Sequence, residues 1–451
     1  MPKPEPESGS PHPGEDMGRR LQAGLSPAAG AAARAAARCA QAEGTGVWVV
    51  GGPVRDVLLG RRAIDLDLVV EGDGPAFARA LAAREGGEVK EFTRFWTALV
   101  ILPGGVKVDV TTARSESYPA PGALPEVAAG DILADMHRRD FTINAMAVRL
   151  GPDRAGEFLD PSGGRHDLAT GTIRALHEGS FCDDPTRILR AIRFAARYRF
   201  TLEPQTSTWL TEAVAGGLLD EVSRQRLRAE IVAILSERDP RHSIAQLQQA
   251  GVWAALFSGD WCYPDEVFNP AVDELDRLLD WFADLSTRPV EGRPEAWIVL
   301  WLLLMSSTGP ETAQMLTVEY HLGRRAIRCA LETTRRGETS LRVLREPAAT
   351  AGDIFWALTD TEPETILALL LRSGSEPGVR DRIAWFENEL RTTDPLLTGE
   401  DIMALGAREG PVVGAVLRTL LSARLRGEYS TRQGALELAE RLLKDMSSTP
   451  E

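Results

Sequence analysis

The chain has 451 residues, of which 43% are hydrophobic and 26% charged, with a formal net charge of −14. That composition describes a globular protein long enough for two to four domains and excludes a wholly disordered one. The acidic balance argues against a uniformly basic nucleic-acid binder, because affinity for phosphate backbones rests on Lys and Arg.

Residues 1–25, opening "MPKPEPESGSPHPGEDMG", are rich in Pro, Gly, Ser and Glu and lack the apolar core of a secretory signal, so they read as a disordered tail. Runs at Val47–Val50, Leu66–Val70, Ala98–Leu102 and Val106–Val110, each bounded by Gly, Pro or Asp, predict strands. Between them "GPAFARALAAREGG" predicts a helix entered at Gly74-Pro75 and closed at Gly86.

The first strand leads into Gly51-Gly52 and a short helix with Pro53 in its first turn, so backbone amides and the positive helix end face whatever binds there. An anion suits that place, and Arg55, one turn in, is set to contact a triphosphate; a tight turn that needs glycine is the plain alternative. On the next strand Asp65 and Asp67 share a face while Leu66 and Leu68 enter the core. Two carboxylates so close repel unless they share a cation or a proton, and hard oxygen ligands suit Mg²⁺. A solvated edge strand carries the same Asp-x-Asp pattern. Asp109, in "VKVDV", supplies a third carboxylate if its strand lies beside that pair, and is otherwise a surface Asp.

"RRDFTINAMAV", Arg138–Val148, sets Arg139 and Asp140 where they can hold a sugar hydroxyl and a phosphate, with Asn144 one turn on as support; Arg-Asp pairs are also common surface salt bridges. In "CDDPTRILRAIRF", Asp183 or Asp184 caps a helix with Pro185 just inside it, and Asp184 and Arg187, at i and i+3, share a face. An acceptor beside a charged donor reads a base edge. Cytosine and adenine both offer an exocyclic amine next to a ring acceptor, whereas uracil and guanine invert that polarity and would leave polar groups unpaired. A capped amphipathic helix with solvated arginines is the structural alternative. The arginines concentrated from Arg187 to Arg228 predict one basic face on an acidic body.

From Asp184 onward the periodicity is helical. The apolar run Ala296–Met305 falls short of the ~20 residues that span a bilayer, so it predicts a buried helix and no membrane segment. Loops rich in Pro and Gly near Arg288–Pro294 and Thr392–Gly399 predict joints between helical subdomains. The four cysteines are far apart with no Cys-x-x-Cys, which indicates neither a disulfide framework nor a zinc site and fits a reducing cytoplasm.

In the same order, "GGPVRDVLLG…DLDLVVEG", "RRDFTINAMAV", "LDPSGGRHDLATGTIRALH", "DDPTRILRAIRFAARY" and "RQRLRAEIVAIL" resemble the five motifs of the class II tRNA nucleotidyltransferase and bacterial poly(A) polymerase family. The match runs from Val47 to about Leu235, and the segment from Leu396 to Leu443 is similar to the C-terminal region of the tRNA enzymes. The resemblance implies an α+β fold: a polymerase-β-like nucleotidyltransferase head over residues 26–150, a neck with nucleotide-selecting helices over 151–240, a helical body over 241–345 and a tRNA-binding helical tail over 346–451. It implies that Asp65 and Asp67 hold two Mg²⁺ ions and that Gly51, Gly52 and Arg55 hold the triphosphate; Asp109 is expected beside them as a further catalytic carboxylate. Arg139 and Asp140 are implied at the ribose, with Asn144 expected beside them; Asp184 and Arg187 are implied as the protein template for CTP and ATP, and Arg226 and Glu230 match the motif that braces the neck helix, with Arg190 and Arg193 expected as further supports. Gly163, Gly164 and Asp167 resemble the family's hinge, and Ala113–His137 sits where a flexible loop helps the switch from CTP to ATP. Two departures stand out: Asp183 precedes the template Asp where many relatives carry Glu, and Trp96 stands where Phe-Gly-Thr is common.

The implied reaction is in-line attack of a tRNA 3′-hydroxyl on the α-phosphorus, with two metal ions supporting the nucleophile and the pyrophosphate. The implied partners are CTP, ATP and the acceptor stem and elbow of tRNA, with no membrane and no obligatory protein partner. The expected function is addition or repair of the 3′ CCA end, whole or in part. A specialist for A or for CC, a poly(A) polymerase, and a noncatalytic RNA-binding module on the same fold are the alternatives.

Overall fold

The computed structural model describes residues 13–151, 154–257, 261–285 and 293–447. The chain forms two compact units: one runs to Ile234 and resumes at His242, and the other takes Leu235–Arg241 and the chain after residue 260.

The first unit opens with helices α1 (Pro13–Gly24) and α2 (Pro27–Glu43). The expected disordered tail is corrected here. Residues 1–12 lie outside the described residues, but from Pro13 the chain is helical, and Met17, Leu21 and Leu25, four residues apart, are buried as one stripe. Helix α2 is fixed at both ends: the Ser26 side chain accepts from the Ala29 amide, and Gly44 closes it in the left-handed conformation.

Strand β1 (Gly46–Val50), helix α3 (Gly52–Leu58), strand β2 (Leu66–Glu71), helix α4 (Gly74–Glu85), and strands β3 (Glu88–Phe92), β4 (Thr97–Leu102) and β5 (Val106–Thr112) follow. A hairpin of β6 (Arg114–Ser117) and β7 (Glu126–Ala129), helix α5 (Ile132–His137), and strands β8 (Ala147–Arg149) and β9 (Phe158–Leu159) complete the head. The seven-stranded sheet has the order β3-β4-β5-β2-β1-β8-β9, parallel at β2–β5 and antiparallel at its other pairings. Helices α2 and α4 pack on it, and Val47, Leu68, Val70, Val100 and Val110 are at most 1% exposed, each side chain contributing roughly 1.5–3 kcal/mol.

Strand β3 is missing from the sequence reading because "EVKEF" is charged and almost wholly exposed, as suits an edge strand. Trp96 follows a 3₁₀ turn with φ 52° and ψ 43°, the left-handed conformation that glycine adopts at no steric cost, which accounts physically for a glycine being common at that place.

The chain then runs through α6 (Gly164–Thr170), β10 (Thr172–Ile173), α7 (Ser180–Asp183), α8 (Thr186–Tyr198), β11 (Thr201–Leu202), α9 (Pro204–Ala215), α10 (Arg224–Leu235), α11 (Arg241–Gln249) and α12 (Val252–Phe257). The expectation of a purely helical neck is modified by the short parallel pairing of β10 with β11.

The second unit is helical: α13 (Asp265–Leu285), α14 (Ala296–Leu304), α15 (Pro310–Glu319), α16 (Arg324–Glu332), α17 (Glu338–Arg345), α18 (Ala351–Leu358), α19 (Pro363–Arg372), α20 (Pro377–Asn388), α21 (Gly399–Ala404), α22 (Pro411–Leu425) and α23 (Arg432–Ser447). The apolar run forms α14, buried from Ile298 to Leu304 against α13 and α19. Among the described residues no helix is long and apolar enough to cross a membrane. The predicted joint near Arg288–Pro294 lies mostly outside the described residues, whereas the one at Thr392–Gly399 is a non-helical connection into α21.

Candidate active site

A cleft of ≈ 440 Å³ in the first unit is lined by Gly51, Gly52, Arg55, Asp67, Arg139, Asp140, Asn144, Asp184, Arg187 and Arg190, together with Glu116, Tyr118, Arg138 and Phe194. Residues spread over more than 140 positions of sequence therefore converge on one space.

At its floor β1 ends and α3 begins. Gly51 has φ +66°, a backbone conformation that favours glycine, and a Cβ there would stand 2.8 Å from Arg139 Nη1 and displace that guanidinium. Its N–H donates to the Met146 carbonyl at 3.1 Å, so the first glycine shapes the turn and does not offer its own amide. At Gly52 a Cβ would lie 3.8 Å from Asp67 Oδ2, an ordinary contact, so the helix start stands beside β2 without this position requiring glycine. Arg55 is 6% exposed, donates to Asn144 Oδ1 (2.6 Å) and Asp56 Oδ1 (3.0 Å), and stands over the rings of Phe194 and Tyr198. It is a fixed cation, and cation–π contacts of this kind hold it when no anion is bound.

Strand pairing places Asp67 directly beside Asp109, in the parallel β2–β5 register. Asp65 stands just before β2, exposed, and is not part of the cleft lining, but its charge is felt at both other carboxylates. Burial, then Asp109, pushes the Asp67 carboxyl up to about 6 against the pull of Arg139 and Arg55. Asp109 is also raised, by burial and by Asp65. Carboxylates crowded in this way are the donor chemistry for a hard divalent cation. Among the described residues no group of three or more His, Cys, Asp or Glu side chains is assembled to hold a metal, so ligand oxygens from a substrate would have to complete a coordination shell.

The ribose-facing role expected of Asp140 meets a different geometry. Oδ1 accepts from the Phe141 amide (2.8 Å) and Asn144 Nδ2 (3.0 Å), while Oδ2 accepts from Arg190 Nε (3.0 Å) and Nη2 (2.6 Å). Four donors fill a carboxylate's acceptor sites. Burial raises this carboxyl, but the Arg190 charge and these bonds outweigh it and hold it at about 2. Asp140 therefore joins a relay: Glu230 accepts from Arg190 (3.1 Å), Arg190 donates to Asp140, Asp140 orients Asn144, and Asn144 fixes Arg55. Glu230 also accepts from Arg193, buried, at 2.9 Å. Arg139 is held by Asp135 (2.9 Å) and the Asn144 carbonyl (3.3 Å) and keeps its place at the cleft wall.

On the opposite side Asp184 Oδ1 accepts from the Thr186 amide (3.0 Å) and hydroxyl (2.6 Å), so it caps the start of α8 as its sequence indicates. Arg187, 5% exposed, donates to Ser180 Oγ (2.8 Å) and to the Arg138 carbonyl (2.8 Å). The pair sits side by side on the cleft wall.

The arginines from Arg187 to Arg228 do not make a uniform basic face. Arg187, Arg190, Arg193 and Arg226 are turned inward onto protein acceptors. Asp167, in the expected hinge, is buried and accepts from Thr142 (2.7 Å) and Arg174 (3.0 Å). Sequence reasoning missed Glu116 and Tyr118. Glu116 accepts from Arg114, Arg138 and Tyr118, all at 2.9 Å. Arg114 and Glu116 alternate along β6 and Tyr118 follows just past its end at the same spacing, which is the period-2 signal that could have flagged them.

A glycine turn, Asp67 with Asp109 beside it on the next strand, and the Asp184 and Arg187 side chains meet at one cleft on a mixed sheet, an arrangement suited to a nucleotidyltransferase. Residues 47–174 match the family described as Poly A polymerase head domain, and residues 199–259 match the one described as Probable RNA and SrmB- binding site of polymerase A. An A-adding tRNA nucleotidyltransferase of Geobacter sulfurreducens is 37% identical over 410 residues, covering 88% of this chain and 45% of that protein. One of the same description from Halalkalibacterium halodurans is 33% identical, covering 87% and 88%, and a CC-adding tRNA nucleotidyltransferase of Deinococcus radiodurans is 33% identical, covering 85% and 86%. The chain thus spans less than half of the Geobacter protein and most of the other two. Among solved structures, the Thermotoga maritima CCA-adding enzyme complexed with tRNA aligns with a TM-score of 0.68 at 30% identity over 95% of this chain and 98% of that one. A CCA-adding enzyme with CTP aligns with a TM-score of 0.74 at 29% identity over 96% and 99%. The chain belongs to the tRNA nucleotidyltransferase family.

Proposed function

We propose that this chain transfers nucleotides from ATP or CTP to the 3′ end of tRNA, building or repairing all or part of the CCA terminus. The observation that carries this reading is the presence of Asp184 and Arg187 in the same cleft as Asp67 and the Gly51-Gly52 turn. A bare triphosphate site would not need a paired acceptor and donor. Asp184 is placed to accept the exocyclic amine of cytosine or adenine, and Arg187 to donate to the adjoining ring nitrogen. Arg55, held by Asn144 and Asp56, meets the triphosphate, and Arg139 serves the sugar and phosphate side. In this reading Asp140 orients Asn144 and, through it, Arg55; it does not touch ribose itself.

Asp65 and Asp67, with Asp109 beside them, would hold Mg²⁺. Such ions, when bound, supply charge stabilisation at the α-phosphoryl group, the attacking hydroxyl and the leaving pyrophosphate. The raised Asp67 carboxyl supports this assignment: burial and the neighbouring Asp109 charge raise it against the pull of Arg139 and Arg55, and a bound cation would offset both.

The A-adding descriptions of the Geobacter and Halalkalibacterium relatives support the terminal adenosine as this chain's product, while the CC-adding Deinococcus relative keeps CC addition as the second reading. The unbridged, exposed Cys182 and Cys262 are in keeping with a reducing cytoplasm. The test offers the purified protein tRNAs ending at the discriminator base, at the first C and at the second C, each with labelled CTP or ATP, beside an oligo(A) primer. A-only addition extends only the tRNA ending in CC, with ATP. Extension of oligo(A) in preference to every tRNA would replace this reading with poly(A) synthesis.

A further inference from the structure

One face of α8 carries more than the base reader. Arg187, Arg190, Phe194 and Tyr198 follow one another at helical spacing, so they project from the same side. The Phe194 and Tyr198 rings stand nearly parallel, at 16° and 6.1 Å between centroids. The Arg55 guanidinium carbon lies 5.5 Å from the first centroid and 5.1 Å from the second, and that of Arg61 lies 5.0 Å from the Tyr198 centroid. Tyr198, 8% exposed, therefore meets two arginines, one within α3 and one just past its end.

What holds Arg55 decides how much of its charge is left for an anion. Its Nε and Nη2 lie 3.0 and 2.9 Å from Asp56 Oδ1, and its Nη1 donates to Asn144 Oδ1 at 2.6 Å. These contacts take three of the five N–H groups of an arginine and leave two. Nη2 stands beside the glycine turn, 3.7 Å from where a Gly52 Cβ would be. Asp56, whose side chain is 30% exposed, offsets the charge only in part. A second carboxylate would fix the guanidinium and cancel it. An aromatic face attracts a cation without cancelling it, and more strongly where water is excluded. The two rings thus hold a buried guanidinium that keeps its charge for the cleft.

We propose that Tyr198 is a positioning residue for the triphosphate: its ring, with that of Phe194, fixes the Arg55 guanidinium beside the glycine turn, so that the helix face carrying the base reader also sets where the triphosphate lies. The inference rests on the reading of Arg55 as the cation that meets the triphosphate. ATP and CTP carry the same triphosphate. Loss of the ring therefore weakens both alike and leaves the choice of base untouched, which separates the part played by Tyr198 from that of Asp184 and Arg187.

The experiment replaces Tyr198 by phenylalanine, by mono-, di- and trifluorinated phenylalanines, which keep the ring's shape while withdrawing electrons from its face, and by leucine. On a tRNA substrate it measures KM for whichever of CTP and ATP the wild type incorporates, and the inhibition constant of inorganic tripolyphosphate. Tyr198→Phe should stay within about twofold of wild type. Both constants should then climb stepwise with the number of fluorines, to about fivefold in the trifluorinated protein and about tenfold in Tyr198→Leu, while kcat and discrimination against UTP and GTP hold steady. The fluorinated series decides the question if Tyr198→Leu fails to fold. Flat constants across that series, beside a raised KM in Arg55→Gln, would overturn the role of Tyr198 while sparing Arg55. An unchanged KM in Arg55→Gln would sink the assignment of Arg55 to the triphosphate, and this inference with it.

Discussion

The cleft and the C-terminal helices α21–α23 hold themselves together by opposite means. Around the cleft, charged side chains on different elements are cross-linked through the relay Glu230–Arg190–Asp140–Asn144–Arg55, whose partners lie between 4 and 89 residues apart in sequence. The three C-terminal helices close instead on an apolar cluster that includes Ile402, Leu420, Ala435 and Ala439, and α21 begins with a capping box between Thr398 and Asp401. Apolar packing is non-directional and contributes stability by area. A buried ionic relay adds little net stability but is costly to break, and what it contributes is orientation. The cleft is built to hold charges in fixed directions, whereas α21–α23 are held by apolar area and a helix cap.

The largest effect that would sharpen this contrast is on catalysis. Asp67→Ala should reduce nucleotide transfer on the order of 10³-fold while leaving thermal stability intact, since it removes a buried carboxylate that Asp109 repels. Transfer within tenfold of wild type would break the assignment of Asp67.

Next comes the relay itself. Glu230→Ala removes the carboxylate that accepts from both Arg190 and Arg193 and should destabilise the first unit by roughly 3 kcal/mol, read from urea unfolding. A loss below 1 kcal/mol would mean that the relay is solvated and orients nothing.

The third effect is on pH. Asp140 is held at about 2, below its ordinary 3.8, so its ionised form stabilises the fold above pH 3.8, and that contribution is lost as pH falls through 2. The stability advantage of the wild type over Asp140→Asn should shrink by roughly 2 kcal/mol between pH 4 and pH 2. An advantage independent of pH over that interval would contradict the ion pair with Arg190.

The smallest belongs to the C-terminal helices. Thr398→Ala removes the cap of α21 and should cost about 1 kcal/mol, visible as faster amide exchange within Gly399–Ala404 and no change in exchange around Asn144.

The same contrast explains what the sequence made legible. The strands at Val47, Leu66, Ala98 and Val106 and the helix ending at Gly86 are written in local periodicity and caps, and they stand where expected. The tight turn at Gly51 and the cap at Asp184 were also local signals. Strand β3 was hidden because its side chains face water, and helix α1 because a stripe of three apolar residues is outweighed by Pro, Gly and Glu around it. The saturation of Asp140 could not be read from sequence, because Arg190 lies 50 positions away and only the fold brings it there. The arginine-rich stretch misled for the same reason: its acceptors come from other elements.

The central claim is that protein side chains, with no nucleic-acid template, choose the base. Its most direct test is single-turnover incorporation of each of the four nucleoside triphosphates, offered separately, onto tRNA lacking its terminal nucleotides. The account predicts transfer from ATP or CTP, with UTP and GTP at least about 100-fold slower. Comparable transfer from all four would contradict it.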